Sequence, residues 1–224
     1  MKTLFCLFLV LFSSSMAVAV ETPQSATNCH CFKNRLFDPQ RKFSADKYIL
    51  TTSFNSFIAA SFHISKRQIV MMLMNDSVGS DDLLIGLYLA RARQVELESL
   101  LAILDNGGTW QQILESPSSH NKGIDEEVLK TIQSVINDKA ATVDLITDEL
   151  LKAFFGITDS AIDALRNAGG SGREITLVYL LEKYGNPERP AADIMTMHTR
   201  EKKSWGEIAH LFGLSAKDTG KVLL

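Results

Sequence analysis

Short catalytic signatures are missing from this chain of 224 residues. It contains no GxxxxGK(S/T), GxGxxG, HExxH, GxSxG or EF-hand phrase, which removes the motif-based routes to nucleotide, flavin, zincin, hydrolase and calcium chemistry. Proline is scarce, with five residues at positions 23, 39, 117, 187 and 190, all at the edges of periodic apolar segments. Cysteine is scarcer still, with three residues, and Cys6 lies inside an N-terminal apolar run. No apolar run reaches the roughly 20 residues of a membrane span. Positive charge is not in surplus either: 23 basic against 26 acidic residues leave a net charge of -3, which argues against a generally cationic surface for nucleic acid or membrane. What is present is 46% hydrophobic and 22% charged residues, enough apolar material for one or two ordinary cores.

The N-terminus reads Met1-Lys2, an apolar run from Leu4 to Phe12, three serines at 13 to 15, and Ala17-Val18-Ala19. A positive residue, a short apolar stretch and an A-x-A site, in that order, predict a secretory signal peptide over residues 1–19 and a mature N-terminus at Val20. A lipid anchor would need a cysteine directly at the cleavage point; Cys6 precedes it and Cys29 is too far beyond it. No membrane anchor is therefore expected after cleavage. The mature chain of 205 residues would carry 22 basic and 26 acidic residues, a net charge of -4.

Only Cys29 and Cys31 survive such processing, in the phrase Asn28-Cys29-His30-Cys31-Phe32. In an oxidising compartment several chemistries stay open for an irregular arm over residues 20–43. In an extended chain the two sulfurs point to the same side and could form a strained, readily reduced disulfide. Cys29, His30 and Cys31 are also suitable soft metal ligands, although His30 would point away from both thiols and a closed zinc site needs a fourth ligand. Free thiols and redox exchange complete the alternatives. Covalent haem attachment needs CxxCH and is excluded. No cofactor is expected.

From Ser44 onward the pattern is helical almost throughout. Tyr48, Leu50, Thr51, Phe54, Phe57, Ile58 and Phe62 recur at helical intervals and predict a helix with one buried face. Ser65 with Gln68 forms a capping box for a second helix, which runs through Met71, Met72 and Met74 as gap-filling core and ends before Gly79. Further helices are expected over 81–91, 95–105, 109–114, 125–137 and 142–155, the first of them opening on Asp81 and Asp82, where carboxylates complement the helix dipole. The expected fold is all-α.

An internal repeat overlies this pattern. At an offset of 93, Ile64, Ile69, Gly79, Leu84 and Leu87 match Ile157, Ile162, Gly172, Leu177 and Leu180; after a two-residue insertion, Trp110 and Ile113 match Trp205 and Ile208. Thr109 and Ser204 precede the tryptophans as caps, with Gln112 and Glu207 three positions on. The repeat predicts two related units of short helices, 44–156 (including connecting helices from Ile124) and 157–224. Trp110 and Trp205 would be equivalent buried anchors, and Gly79 and Gly172 would turn the chain.

The phrase Trp205, Gly206, Ile208, Ala209, Gly213 resembles the repeated W-G-x-I-A-x-x-L-G of a family of uncharacterised exported bacterial proteins, with Phe212 at the family's leucine; the first unit keeps Trp110 and Ile113. Cys29-His30-Cys31-Phe32 ahead of the first long helix also resembles the start of the family's longer members. The resemblance implies a bacterial periplasmic helical protein and brings with it no reaction, cofactor or partner. Residues 204–224 separately resemble a helix-turn-helix, with Gly213 at the turn and Ser215 capping a helix that presents Lys217 and Lys221. Gly220 inside that second helix, the acidic mature chain and Pro117 with Ser118-Ser119 at the matching place in the first unit speak against DNA reading. The eight apolar residues of the tail, Leu211 and Val222 among them, are expected to pack inward.

Histidines 30, 63, 120, 198 and 210 show no metal or catalytic spacing, and no catalytic residue is assigned. The basic clusters, Lys33 and Arg35 with Arg41-Lys42, and Arg200 with Lys202-Lys203, read as solvated faces, the first close enough in sequence to the cysteines to lower a thiol pKa. The leading expectation is an exported helical interaction or structural protein with a protein partner. A periplasmic thiol or metal protein using Cys29 and Cys31 is the alternative, and an enzyme with a cleft between the units is weaker.

Overall fold

The computed structural model describes residues 32–74, 78–116, 126–221 and 223. Among them the chain is all-α, with no strand. A 3-10 helix, Pro39–Ala45, leads into α1 (Asp46–Phe62), α2 (Lys66–Met74), α3 (Ser80–Arg93), α4 (Leu97–Asp105), α5 (Trp110–Glu115), α6 (Glu126–Val135), α7 (Lys139–Phe155), α8 (Asp159–Asn167), α9 (Gly172–Tyr184), α10 (Ala191–Thr199) and α11 (Trp205–Leu211). The signal segment 1–19, Cys29, His30, Cys31, Pro23, Pro117, Ser118, Ser119, His120, Ile124, Asp125 and Val222 lie outside the described residues.

The expected helices occur, with ends moved by caps that compete with periodicity. Helix α7 begins three residues before Thr142 because the Asp138 side chain accepts the Ala141 N–H at 3.0 Å. Helix α1 departs further from expectation. It is buried on nearly all sides rather than one, because Thr52, Ser53, Ser56, Ala59 and Ser61 are small enough to let α9, α2 and α11 approach around it. Its buried Ser56 hydroxyl has two carbonyls within reach of its one hydrogen, Thr52 one turn back at 3.0 Å and Gly220 at 2.5 Å, so that group is not stranded in the core. The Ser65–Gln68 capping box is formed, with the Ser65 N–H on Gln68 Oε1 at 2.9 Å and the Gln68 N–H on Ser65 Oγ at 3.2 Å. The methionines it introduces are not the expected core: Met71 and Met74 are 49% and 48% exposed, and only Met72 packs against buried residues. Leu73 and Ile69 take the inner face instead.

Two runs of four helices bracket α6 and α7. Helices α2 to α5 have 9, 14, 9 and 6 residues, and α8 to α11 have 9, 13, 9 and 7. Their long helices meet α1 and α7 in one continuous core that holds Phe57, Leu84, Ile146, Leu177 and Trp205. Between the starts of α3 and α9, Arg173 lies over the Phe54 ring at 5.0 Å and donates to Ser80 Oγ at 3.1 Å.

Gly79 is the N-cap of α3, with φ -67° and ψ 154°. Gly172 does not turn the chain. It is the first residue of α9, and the turn is made by Ser171, whose capping box with Glu174 sets the helix start. A Cβ at 172 would stand 3.1 Å from Thr147 Cγ2, so its smallness serves close packing on α7. Cap to cap, Gly79 therefore corresponds to Ser171, one residue off the sequence alignment.

Candidate functional site

Both tryptophans are the first residue of a short capped helix, and both point the indole N–H at the third residue of the long helix in their run. Trp110 Nε1 donates to Asp82 Oδ1 at 2.9 Å, and Trp205 Nε1 to Glu174 Oε1 at 3.3 Å. Thr109 and Ser204 accept from the amides of Gln112 and Glu207, which fixes the helix starts and so the ring positions. A base completes each pair, and here the two differ.

In the C-terminal run the base is His198 of α10. Its ring stacks on Trp205 with centroids 4.2 Å apart and 20° between planes. His198 Nδ1 lies 2.8 Å from the Lys203 carbonyl, which can only accept, so Nδ1 carries the hydrogen. Nε2 faces Glu174 Oε1 at 3.5 Å. The Glu174 carboxylate raises the imidazole pKa above its ordinary value against the opposing effect of burial, and the Lys203 carbonyl adds to the rise. Burial pushes the Glu174 carboxyl up, but bonds from His198, from the Ser171 amide and hydroxyl, and from Trp205 overcome it and hold it at about 2. Asp46, at the start of α1, accepts the Gly206 N–H at 3.0 Å and ties the base of α11 to the central helix; burial raises its pKa despite that bond. Both Glu174 oxygens are thus engaged by donors, Oε2 by the Ser171 amide and hydroxyl at 2.9 and 2.8 Å. Such a cluster joins α1, α9, α10 and α11, with donors on both oxygens of Glu174.

In the N-terminal run the base is Lys139, at the start of α7, whose ammonium sits 2.9 Å from each Asp82 oxygen. No imidazole covers this indole. A cavity of about 340 Å³ opens beside it, walled by Trp110, Leu104, Gly108, Gln111 and Ile136. Trp110 is 7% exposed where Trp205 is 1%.

The C-terminal tail forms another joint. Gly220 offers one carbonyl to two donors, Lys66 Nζ at 2.9 Å and Ser56 Oγ at 2.5 Å, while Lys66 also donates to Thr52 Oγ1 at 2.6 Å. Burial lowers the Lys66 pKa to about 8. A second helix is absent from the described part of this tail: residues 212–213 and 216–221 are turns joined by irregular backbone at 214–215, and the Ser215–Asp218 hydrogen bonds that resemble a cap close a turn instead. Phe212 and Leu214 pack inward against Gly185, but Leu211 stays 56% exposed, contrary to expectation, because α11 turns it outward.

Of the other histidines described, His63 closes α1 in the left-handed conformation at φ 57°, and His210 lies on the surface beside Phe37. His198 is the functional residue that spacing did not reveal: its partners lie 24 residues before it and 7 after it, beyond the reach of local patterns. The local signal present in the sequence is the Ser171-x-x-Glu174 spacing of a capping box, which the assignment of the turn to Gly172 passed over. Among the described residues no group of three His, Cys, Asp or Glu side chains could hold a metal ion, and no helix is long and apolar enough to cross a membrane. The fold defines an all-α protein in which Asp82 with Lys139, and Glu174 with His198, join helices. The chain matches no family model, no curated protein and no solved structure.

Proposed function

We propose that this chain is an exported helical interaction protein of the bacterial periplasm, built by duplication of a four-helix unit and related to the exported proteins that its tryptophan phrase resembles. The observation that supports this reading is the recurrence of one joint in two runs of nearly equal helix lengths, an indole at the first position of the last helix bonded to a carboxylate at the third position of the long helix. Independent convergence on both the spacing and the bond is harder to account for than duplication. Repeated helical units bury a shared core and present outer faces to partners. Leu36, Phe43, Met71, Met74 and Leu211 are exposed apolar side chains available for such contacts.

The alternative, a thiol or metal protein acting through Cys29 and Cys31, draws support from the anchoring of the next residues. Phe32, the residue next to Cys31 in sequence, packs edge-on against Tyr48 at 5.4 Å, and the Arg35 guanidinium lies over the same ring at 5.6 Å.

One experiment separates the two. The protein is recovered from the periplasm of its native host, its N-terminus sequenced, residues 29 and 31 examined by mass spectrometry, and its native mass compared with that of a Cys29→Ser, Cys31→Ser variant. Val20 as first residue and a complex that survives the double substitution agree with the interaction reading. A complex lost with the thiols or with reductant moves the function to the cysteines. A chain that stays monomeric in both forms, or keeps residues 1–19 in the cytosol, overturns the proposal.

A further inference from the structure

We propose that the cavity beside Trp110 is a binding site for a small zwitterion, an α-amino acid with an apolar side chain. The argument begins with the difference between the two indole joints. Helices α4 and α10 each have nine residues, and the eighth is Leu104 in one and His198 in the other. His198 fills the space over its indole and seals it. Leu104 lines an open cavity of about 340 Å³, at the small end of the roughly 300–1,000 Å³ typical of ligand pockets. The N-terminal run thus keeps the buried indole and its carboxylate and has an open cavity beside them where the C-terminal run has the ring of His198.

The lining specifies the ligand. Trp110, Leu104 and Ile136 supply an apolar wall suited to an aliphatic side chain. Asp82 and Lys139 supply one charge of each sign, so the site is neutral as a whole and disfavours a ligand with net charge. The Lys139 side chain is half exposed, and a surface ion pair of this kind contributes little, so its ammonium can turn to a ligand carboxylate at small cost. That move frees Asp82 to accept a ligand ammonium while retaining its bond from the indole. Gln111 provides the remaining element. It lines the same cavity, its Nε2 is engaged by Glu115, and its Oε1 is buried with no hydrogen-bond partner. Lacking a donor of its own, this oxygen would gain one from a ligand ammonium once the side chain turns toward the cavity.

Titration calorimetry on the mature chain tests the assignment with three probes: L-leucine, 3-methylbutylamine, which lacks its carboxylate, and 4-methylpentanoate, which lacks its ammonium. Leucine should bind saturably and each half-ligand about tenfold or more weaker, since each forfeits one charge-assisted contact. Lys139→Ala should weaken leucine binding about tenfold or more, since the ligand carboxylate loses its partner, and should strengthen binding of the amine, since Asp82 then has no competing ammonium. Leu104→His, which introduces the counterpart's side chain, should fill the cavity and abolish binding while the helical circular dichroism is retained; should that variant fail to fold, the exposed Lys139→Ala decides the matter. No saturable heat at millimolar leucine, equal binding of all three probes, unchanged leucine binding in Lys139→Ala, or leucine binding by a folded Leu104→His variant would each overturn the proposal.

Discussion

Replacing Glu174 with glutamine tests the C-terminal joint most directly, because the side chain keeps its length and loses only its charge. The carboxyl is held at about 2 against an ordinary value of 4.5, and it is only 20% exposed, so solvent screens it little. A depression of that size corresponds to about 3 kcal/mol of preference for the ionised form in the folded chain. For a domain of this size each kcal/mol shifts the melting temperature by about 2–4 °C, so Glu174→Gln should melt about 6–12 °C below the parent at pH 7. The pH profile carries the sign. A depressed carboxyl contributes stability that is complete above about 4.5 and is lost as pH falls toward about 2, so the gap between parent and variant should close over that window. His198, whose pKa is raised, contributes stability that is complete below its unfolded value of about 6.5 and is lost as pH rises through its higher folded value. In the variant that alkaline loss should shrink, since the carboxylate that raised the imidazole is gone. Thermal unfolding followed at 222 nm from pH 2 to 9 checks all three statements. A variant that melts within a degree or two of the parent at pH 7, with an unchanged acid limb, would refute the coupling.

Trp205→Ala should cost about 3–5 kcal/mol, and Trp110→Ala should fall at the lower end because a cavity already adjoins its ring; unchanged melting in both would show that neither ring is an anchor. Gly220→Ala places a Cβ 2.4 Å from Thr52 Oγ1 and 2.7 Å from Lys66 Nζ. Such overpacking costs about 1–3 kcal/mol and should release the tail, read as lost hydrogen-exchange protection at residues 215–221. The protein, titrated against a random duplex library at about 50 mM salt, should bind weakly and without sequence preference; one enriched sequence, lost with Lys217→Ala, would restore the helix-turn-helix reading.

Much of the helical layout was legible from the chain alone, because helix starts and apolar spacing are local properties. Ser65 with Gln68, Thr109 with Gln112 and Ser204 act as the capping residues their spacing announced, since a cap needs only the first turn of its own helix. Periodicity misjudged residues whose burial depends on distant neighbours. Met71 and Met74 have the apolar character of core residues, yet among the described residues nothing buries the face of α2 that carries them. Conversely, the serines and threonines of α1 are polar by type and buried by position, because α9, α2 and α11 close around a helix slim enough to admit them. The tryptophans were recognisable by spacing; what they bond to was not. Indole to Asp82 spans 28 residues and indole to Glu174 spans 31, distances over which only the folding of one helix across another decides who meets. The same holds for His198, for the tail carbonyl of Gly220 on Lys66, and for the open space over Trp110 against the sealed one over Trp205. The sequence by itself determined where helices begin and which residues could serve as anchors; the tertiary structure alone decided which charges share a site, because an electrostatic contact depends on separation in space and carries no signature in separation along the chain.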